Sequence, residues 1–255
     1  TSVVSDYQQQ VSHATEEEEN RMFAEAQAYN QRLLGSISLE DPFEAGIKQE
    51  NTEYESLLNM GGNGVMGYVE IPKIKVLLPI YHGTSEAVLQ SGVGHLEQTS
   101  LPVGGESTHA VISGHRGLPS ARLFTDIDQL RNGDKFYIHV LDQVLAYEVD
   151  QILPMVDKDD HETLENALKI EEGKDQVTLF TCTPYGVNSH RLLVRGTRVA
   201  YNGEEDKEAT ISESMVESIK NYYMIYTILG LAVTLLVILL LRYLSKKKRN
   251  KQPKE

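Results

Sequence analysis

The chain has 255 residues and a strong acidic bias, with 37 Asp and Glu against 24 Lys and Arg and a formal net charge of −13. This length suffices for a domain with its own hydrophobic core, while the acidic balance argues against a nucleic-acid partner. The single cysteine, Cys182, excludes an internal disulfide and a zinc site built from several cysteines.

Residues 1–35 predict an acidic N-terminal segment followed by an amphipathic helix. Residues 1–19 are polar and end in four consecutive glutamates, so we expect this stretch to be solvated. Thr15, with Glu18 three residues later, is typical of a capping box that opens a helix. Apolar side chains then recur at helical spacing until Gly35, at Met22, Ala26, Tyr29 and Leu33. We expect this helix to pack on the main domain, because two heptads are too few for a coiled coil.

Residues 36–64 predict an acidic loop region, interrupted by the turn Asp41-Pro42-Phe43. The body, residues 65–200, contains short strand-like runs separated by Gly, Pro and Asn. The predicted strands are Val65–Ile71, Lys75–Tyr81, His109–Ser113, Lys135–Val140, Val144–Leu153, Val177–Cys182 and Arg191–Val199. The predicted helices are Ser120–Leu130 and His161–Leu168. Seven strands in about 135 residues favour an all-β fold, either a closed β-barrel or a sandwich, with short helices.

The C-terminal part predicts a polar tether at 201–220, a transmembrane helix at 221–241 and a basic tail at 242–255. The span carries no charge and would reach roughly 30 Å as a helix, the thickness of a hydrocarbon core. A buried core helix is the alternative, although such helices are rarely so long and apolar. The tail has a net charge of +6, which leaves −19 on the preceding residues, so we expect a cytoplasmic tail and an extracellular body. No apolar run precedes residue 60, and we expect an export signal or first anchor before Thr1.

The chemistry-bearing residues lie around Cys182, which ends the strand-like run Val177–Cys182. Strand alternation places it on the same face as Phe180. If the next strand forms a hairpin with this one, Arg191 comes close to Cys182. His115 lies in a glycine-flanked turn after another predicted strand, where a side chain can project into a cleft. A thiol, an imidazole and a guanidinium can attack a carbonyl, transfer a proton and stabilise an oxyanion. A buried structural cysteine and a solvated strand arginine are the alternatives.

The remaining histidines are weaker candidates for acid–base chemistry. We expect His95 and His109 to be hydrogen-bonded structural residues. We expect three others to lie at the surface: His13, His82 and His161. His190 is the alternative general acid, although strand alternation directs it to the face opposite Arg191. No two histidines have the i, i+4 spacing of a helical metal site, so we expect neither a metal nor another cofactor in the mechanism.

The run Thr178-Leu179-Phe180-Thr181-Cys182 resembles the Thr-Leu-x-Thr-Cys signature of sortases, the membrane-anchored cysteine transpeptidases of Gram-positive bacteria. The resemblance extends from about Gly67 to Ala200. It includes the first strand, the turn Ser113-Gly114-His115-Arg116 and the nine-residue spacing from Cys182 to Arg191. It implies the eight-stranded sortase β-barrel, with Cys182, His115 and Arg191 at one rim as nucleophile, acid–base residue and oxyanion stabiliser.

Two features resemble class C, the pilin-polymerising sortases. One is the C-terminal span with its basic tail, and the other is Asp41-Pro42-Phe43, which is similar to the Asp-Pro-aromatic lid of that class. The resemblance implies that the lid aspartate approaches the thiol and that the aromatic ring covers the cleft. An ordinary Asx-Pro turn is the alternative interpretation of these three residues.

The resemblance also implies a reaction and its partners. Cys182 would cleave a Leu-Pro-x-Thr-Gly-like sorting signal between Thr and Gly, and a lysine amine of another pilin subunit would resolve the thioester. The partners implied are pilin subunits and the lipid bilayer, at the cell membrane of a Gram-positive bacterium. Three alternatives remain open: a housekeeping sortase that anchors surface proteins to the cell wall, a cysteine endopeptidase, and a membrane-tethered binding module with an inert cysteine.

Overall fold

The computed structural model describes residues 2–33, 42–43, 51–117 and 121–203. The chain divides into two compact units, Thr1–Tyr201 and Asn202–Glu255. Only the first two residues of the second unit are among the described residues. Most of the predicted tether, the span at 221–241 and the basic tail therefore lie outside them. Within the described ranges, no helix combines the length and the apolar character needed to cross a bilayer.

Eight strands close into a barrel. In chain order they are β1 Val65–Ile71, β2 Val76–His82, β3 Val93–His95, β4 Thr108–Ser113, β5 Lys135–Val140, β6 Gln143–Asp157, β7 Asp175–Thr183 and β8 His190–Val199. The order around the barrel is β1-β2-β3-β4-β7-β8-β6-β5. The pairs β2/β3 and β4/β7 are parallel and the others antiparallel. The eight-stranded barrel implied by the sortase resemblance is therefore confirmed.

Five α-helices surround the barrel within the described residues: α1 Ser2–His13, α2 Glu16–Leu33, α3 Thr52–Ser56, α4 Glu86–Ser91 and α5 His161–Leu168. The helix predicted at His161–Leu168 is confirmed to the residue. The loop prediction for residues 36–64 missed α3, a single turn that Asn51 caps by accepting a hydrogen bond from the Tyr54 amide at 3.2 Å. The three-residue strand β3 was also missed, because its length is too short for alternation to show.

The helix predicted at Ser120–Leu130 is wrong for the part that the structure describes. That part holds only a 3-10 turn at Ile127–Gln129. Leu123 has φ of 33°, outside the right-handed helical region. The amide of Phe124 donates to the carbonyl of His115 at 3.1 Å, a tertiary partner instead of a helical one. The segment is therefore shaped by its contact with the His115 turn.

The prediction that residues 1–19 are solvated is wrong for α1. Val4 and Tyr7 are each only 2% exposed and pack on β1. The Tyr7 hydroxyl donates to the carbonyl of Met66 at 3.2 Å and accepts from the amide of Leu141 at 2.8 Å. Burial raises the pKa of Tyr7. The two buried residues lie three apart, so they dock together while the glutamine-rich face meets water.

The amphipathic helix predicted after Thr15 is confirmed as α2. The amide of Glu18 donates to the Thr15 hydroxyl at 3.3 Å, and the Thr15 amide donates to the Glu18 carboxylate at 3.0 Å, which is the predicted capping box. Asn30 on the buried face forms two hydrogen bonds with the backbone of Leu101, at 3.0 and 2.7 Å. The helix thus packs on the barrel, as expected.

Two apolar clusters lie on opposite faces of the barrel wall, one inside the barrel and one on its outer surface. The main core takes the inward residues of every long strand, among them Val177 and Leu179 of β7. The next residue, Phe180, belongs to a second cluster with Leu164 and Leu168 of α5. Strand alternation therefore puts Phe180 and Cys182 on the outer face, and α5 covers part of it.

We predict that Tyr7→Phe lowers the free energy of unfolding by about 1–3 kcal/mol. The substitution leaves the buried Leu141 amide without its acceptor, and an orphaned buried donor costs this much. Urea denaturation followed by circular dichroism measures the change. Tyr81→Phe is the matched control, since this half-buried hydroxyl makes no hydrogen bond to the described residues. Equal midpoints for Tyr7→Phe and the wild type would contradict the docking of α1.

Candidate active site

Cys182 and Arg191 are direct partners across the antiparallel pair β7/β8. The hairpin predicted from the sequence is therefore present, and it brings the two side chains to the same end of the barrel. Both are buried, at 6% and 3% exposure. The guanidinium of Arg191 donates to the carbonyls of Asn188 and His190 at 2.9 and 3.2 Å. The β7–β8 loop thus holds the cation in place before any ligand arrives.

His115 reaches the same end through the parallel pair β4/β7. Ser113 is the partner of Phe180, so His115 and Cys182 each lie two residues beyond a paired position on adjacent parallel strands. The Gly114 amide donates to the carbonyl of Phe180 at 3.1 Å, and the hydroxyl of Thr181 donates to the carbonyl of Gly114 at 2.7 Å. These bonds continue the ladder past the strand end and fix the start of the His115 turn.

Gly114 has a steric role in this turn. A Cβ atom at this position would lie 2.8 Å from the ring of Phe124 and 2.9 Å from Val93. Any larger residue would push the turn away from the barrel, and His115 with it. The glycine next to the candidate acid–base residue therefore follows from close packing.

Arg116 is a site residue whose role the sequence does not reveal. Its guanidinium donates to the hydroxyl of Thr183 at 3.0 Å and forms an ion pair with Asp128. It therefore ties the residue after His115 to the residue after Cys182. An arginine beside a histidine carries no sequence signal for such a bridge, because Thr183 is distant in the chain and Asp128 comes from a segment predicted as a helix.

Phe43 lies over the candidate site. Its ring centroid is 5.6 Å from that of His115 and 5.9 Å from that of Phe180, with which it is stacked. The Arg191 guanidinium lies 5.5 Å from the same centroid, in a cation–π contact. Pro42 is buried and Phe43 half-buried, whereas Asp41 lies outside the described residues. The ring therefore contacts two of the three predicted catalytic residues.

Two other histidines are structural, as the sequence predicted. Both ring nitrogens of His95 and of His109 have hydrogen-bond partners. For His109 these are the carbonyl of Lys169 at 2.9 Å and the Thr178 hydroxyl at 2.7 Å. Burial lowers the pKa of His95 to about 3 and that of His109 to about 4, so both rings are neutral near pH 7. Neither contributes a charge to the Cys182 end of the barrel.

The surface position predicted for His82 is wrong. This histidine is half-buried, and its two ring nitrogens lie 2.9 and 2.7 Å from the carbonyls of Gly64 and Leu57. It fastens the segment before β1 to the end of β2. His190, the alternative general acid, directs Nδ1 to the Ser189 hydroxyl at 2.8 Å.

The arrangement supplies a thiol, an imidazole and a guanidinium at one end of the barrel, beneath an aromatic ring. Such a set can form a covalent acyl intermediate and stabilise the oxyanion that precedes it. Over the ranges that the structure describes, no three His, Cys, Asp or Glu side chains are grouped as a metal site.

A family model for the sortase domain matches residues 69–199. Among solved structures, Sortase C of Streptococcus pneumoniae is 46% identical, with a TM-score of 0.70, over 79% of this chain and 98% of that one. Sortase C1 of Streptococcus agalactiae is 44% identical, with a TM-score of 0.70, over 79% and 100%. Sortase C-1 of Actinomyces oris is 45% identical, with a TM-score of 0.66, over 71% and 99%.

The curated relatives are more distant. Sortase A of Bacillus anthracis is 32% identical over 53% of this chain and 60% of that protein. Sortase D of Bacillus subtilis is 32% identical over 52% of this chain and 63% of that protein. The chain thus spans somewhat less than two thirds of the length of these relatives.

We predict that Phe43→Ala speeds alkylation of Cys182 by iodoacetamide several-fold. Removing a ring that covers the site raises the fraction of molecules with an accessible thiol. The rate is measured by mass spectrometry at fixed reagent concentration. Tyr185→Ala is the control, an exposed aromatic of the β7–β8 loop. Equal rates for Phe43→Ala and the wild type, or equal acceleration by both substitutions, would show that Phe43 does not restrict access.

Proposed function

This chain belongs to the sortase family, and from that premise we propose that it is a class C transpeptidase that polymerises pilin subunits. The observation that carries the proposal is the pairing of Cys182 with Arg191 beside the His115 turn. The class C assignment draws on the 43–46% identity to sortase C structures. One of these is described as a pilus-related sortase C and another by its pilin substrate specificity.

In the first half of the proposed reaction, the Cys182 thiol gives its proton to His115 and the thiolate attacks the Thr carbonyl of a Leu-Pro-x-Thr-Gly-like signal. The carbonyl oxygen becomes an oxyanion opposite Arg191, whose guanidinium stays charged throughout. His115 returns the proton to the glycine nitrogen, the C–N bond breaks, and a thioester remains on Cys182. A thiolate is suited to this step because it is a strong nucleophile that also leaves well.

In the second half, a lysine amine of another pilin subunit attacks the thioester carbonyl. The amine proton passes to His115, the C–S bond breaks, and an isopeptide bond joins the two subunits. Resolution by water instead would make the protein a cysteine endopeptidase, and resolution by a cell-wall amine would make it a housekeeping sortase. The identity to class C structures favours the lysine acceptor.

The remaining features of the proposal concern access and location. Asp41, Pro42 and Phe43 form a lid that substrate displaces, supported by the ring contacts of Phe43 with His115 and Arg191. Residues 221–241 cross the cell membrane of a Gram-positive bacterium, with the barrel outside and the basic tail inside. The uncharged span and the +6 tail support this topology.

Product chemistry tests the function. Incubating the protein with a pilin that carries the sorting signal and an acceptor pilin should give a covalent dimer whose isopeptide bond mass spectrometry can locate. Cys182→Ala should give no dimer while keeping the circular dichroism spectrum of the wild type. Release of the free threonine acid alone would support the endopeptidase, and dimer formation by Cys182→Ala would exclude the proposed nucleophile.

We predict that Arg191→Lys lowers the rate of sorting-signal cleavage by roughly a hundredfold or more. Lysine has a point charge in place of a planar fork, and loss of one oxyanion donor has costs of this order. Arg195→Lys is the matched control on the same strand, since Arg195 pairs with Asp150 and Glu171 at 3.0 and 2.9 Å. An unchanged rate for Arg191→Lys with an impaired Arg195→Lys would move the oxyanion role to the other arginine.

A further inference from the structure

One ring nitrogen of the His115 imidazole faces an acidic side chain from another element. Nε2 is buried and has no hydrogen-bond partner among the described residues. At 3.5 Å from it lies Oε2 of Glu86, the first residue of α4. The pair is within ion-pair distance although its geometry is not that of a hydrogen bond. A buried polar atom that lacks a partner calls for an explanation, and here the nearest charge is a carboxylate.

The Glu86 carboxylate is held in position by its own helix. Its other oxygen, Oε1, accepts from the side-chain amide of Gln90 one turn later, at 2.8 Å. The helix itself begins with an N-cap at Ser85, whose hydroxyl accepts from the Val88 amide at 3.4 Å. The carboxylate therefore comes from a capped helix in the β2–β3 connection, on an element that carries neither His115 nor Cys182.

We propose that Glu86 is a positioning residue for His115. This inference rests on the proposed function, in which the imidazole receives the thiol proton of Cys182 and becomes an imidazolium. A carboxylate beside Nε2 stabilises that positive charge, and once substrate tightens the contact it can accept the ring's N–H and so fix the orientation and the tautomer of the ring. The proton later goes to the leaving amine, and Glu86 keeps its charge throughout.

The charges around the imidazole make this role specific. Among the described residues, the other charged or titratable groups at this end of the barrel include the Cys182 thiol on β7, the Arg191 guanidinium on β8, and the adjacent Arg116 with its partner Asp128. Within the part of the chain that the structure describes, Glu86 supplies the carboxylate that lies within ion-pair distance of the ring.

The expected effect is moderate, because the Glu86 side chain is 69% exposed and water screens exposed pairs. Contacts of this kind tighten when substrate excludes water from the cleft. We therefore expect Glu86→Gln to lower kcat for sorting-signal cleavage about five- to tenfold with KM unchanged. Glu86→Asp, which keeps the charge, should recover part of the loss. Glu148→Gln, an exposed acid on β6, is the matched control and should behave as the wild type.

A second readout does not depend on the sorting signal. Alkylation of Cys182 by iodoacetamide near pH 7 should be slower in Glu86→Gln than in the wild type, because the thiolate–imidazolium pair is less populated. The difference should vanish at about pH 10, where the thiol ionises without help from His115. Loss of general folding would instead change the rates at both pH values and would shift the urea midpoint.

Several results would overturn the proposal. They are an unchanged kcat and alkylation profile in Glu86→Gln, an effect confined to KM, and an equal loss in Glu148→Gln. A loss confined to the reaction with the lysine amine would assign Glu86 to the acceptor and not to His115. Failure of the wild type to cleave any sorting-signal peptide would refute the proposed function, while the alkylation profile would still decide whether Glu86 acts on His115.

Discussion

The arrangement of the site depends on the register of three adjacent strands, β4, β7 and β8. Antiparallel pairing sets Cys182 opposite Arg191, and parallel pairing of Ser113 with Phe180 sets the His115 turn level with Cys182. A shift of one residue in either ladder would turn the thiol from the outer face into the main core. Apolar residues at alternate positions hold the register, since Val177 and Leu179 fill the barrel interior. The strand register that packs the core therefore also fixes the geometry of the site.

The sequence predicts most of the arrangement of these three strands. In β7, side chains alternate between the two faces of the sheet, and the run ends distinctively in Thr181 and Cys182. What it could not predict were features that depend on contacts between distant segments. The segment around Phe124 has good helical composition, but its amide bonds to the turn of His115, and tertiary contacts override propensity there. In α1, the buried side chains of Val4 and Tyr7 decide the outcome, with Val3 and Val11 partly buried against the same cluster. The bridge from Arg116 to Thr183 has no local signature at all.

Burial of a cation at the site has a cost that the surroundings offset. Arg191 is 3% exposed, and a guanidinium is stable in such a place only when its donors and its face have partners. Two loop carbonyls and the ring of Phe43 supply part of this environment. These neutral carbonyl oxygens orient the guanidinium, which keeps its positive charge across the physiological pH range.

An aromatic ring suits the role of the proposed lid because each of its contacts is individually weak. Contacts of Phe43 with His115, Phe180 and Arg191 are each worth on the order of 1 kcal/mol. A few such contacts would keep the proposed lid closed in most molecules, and an entering peptide could still replace them, because the competent fraction only scales the apparent affinity. The ring also covers the guanidinium without titrating or pairing with it. Departure of the ring in the proposed lid opening would therefore uncover the face of the Arg191 guanidinium.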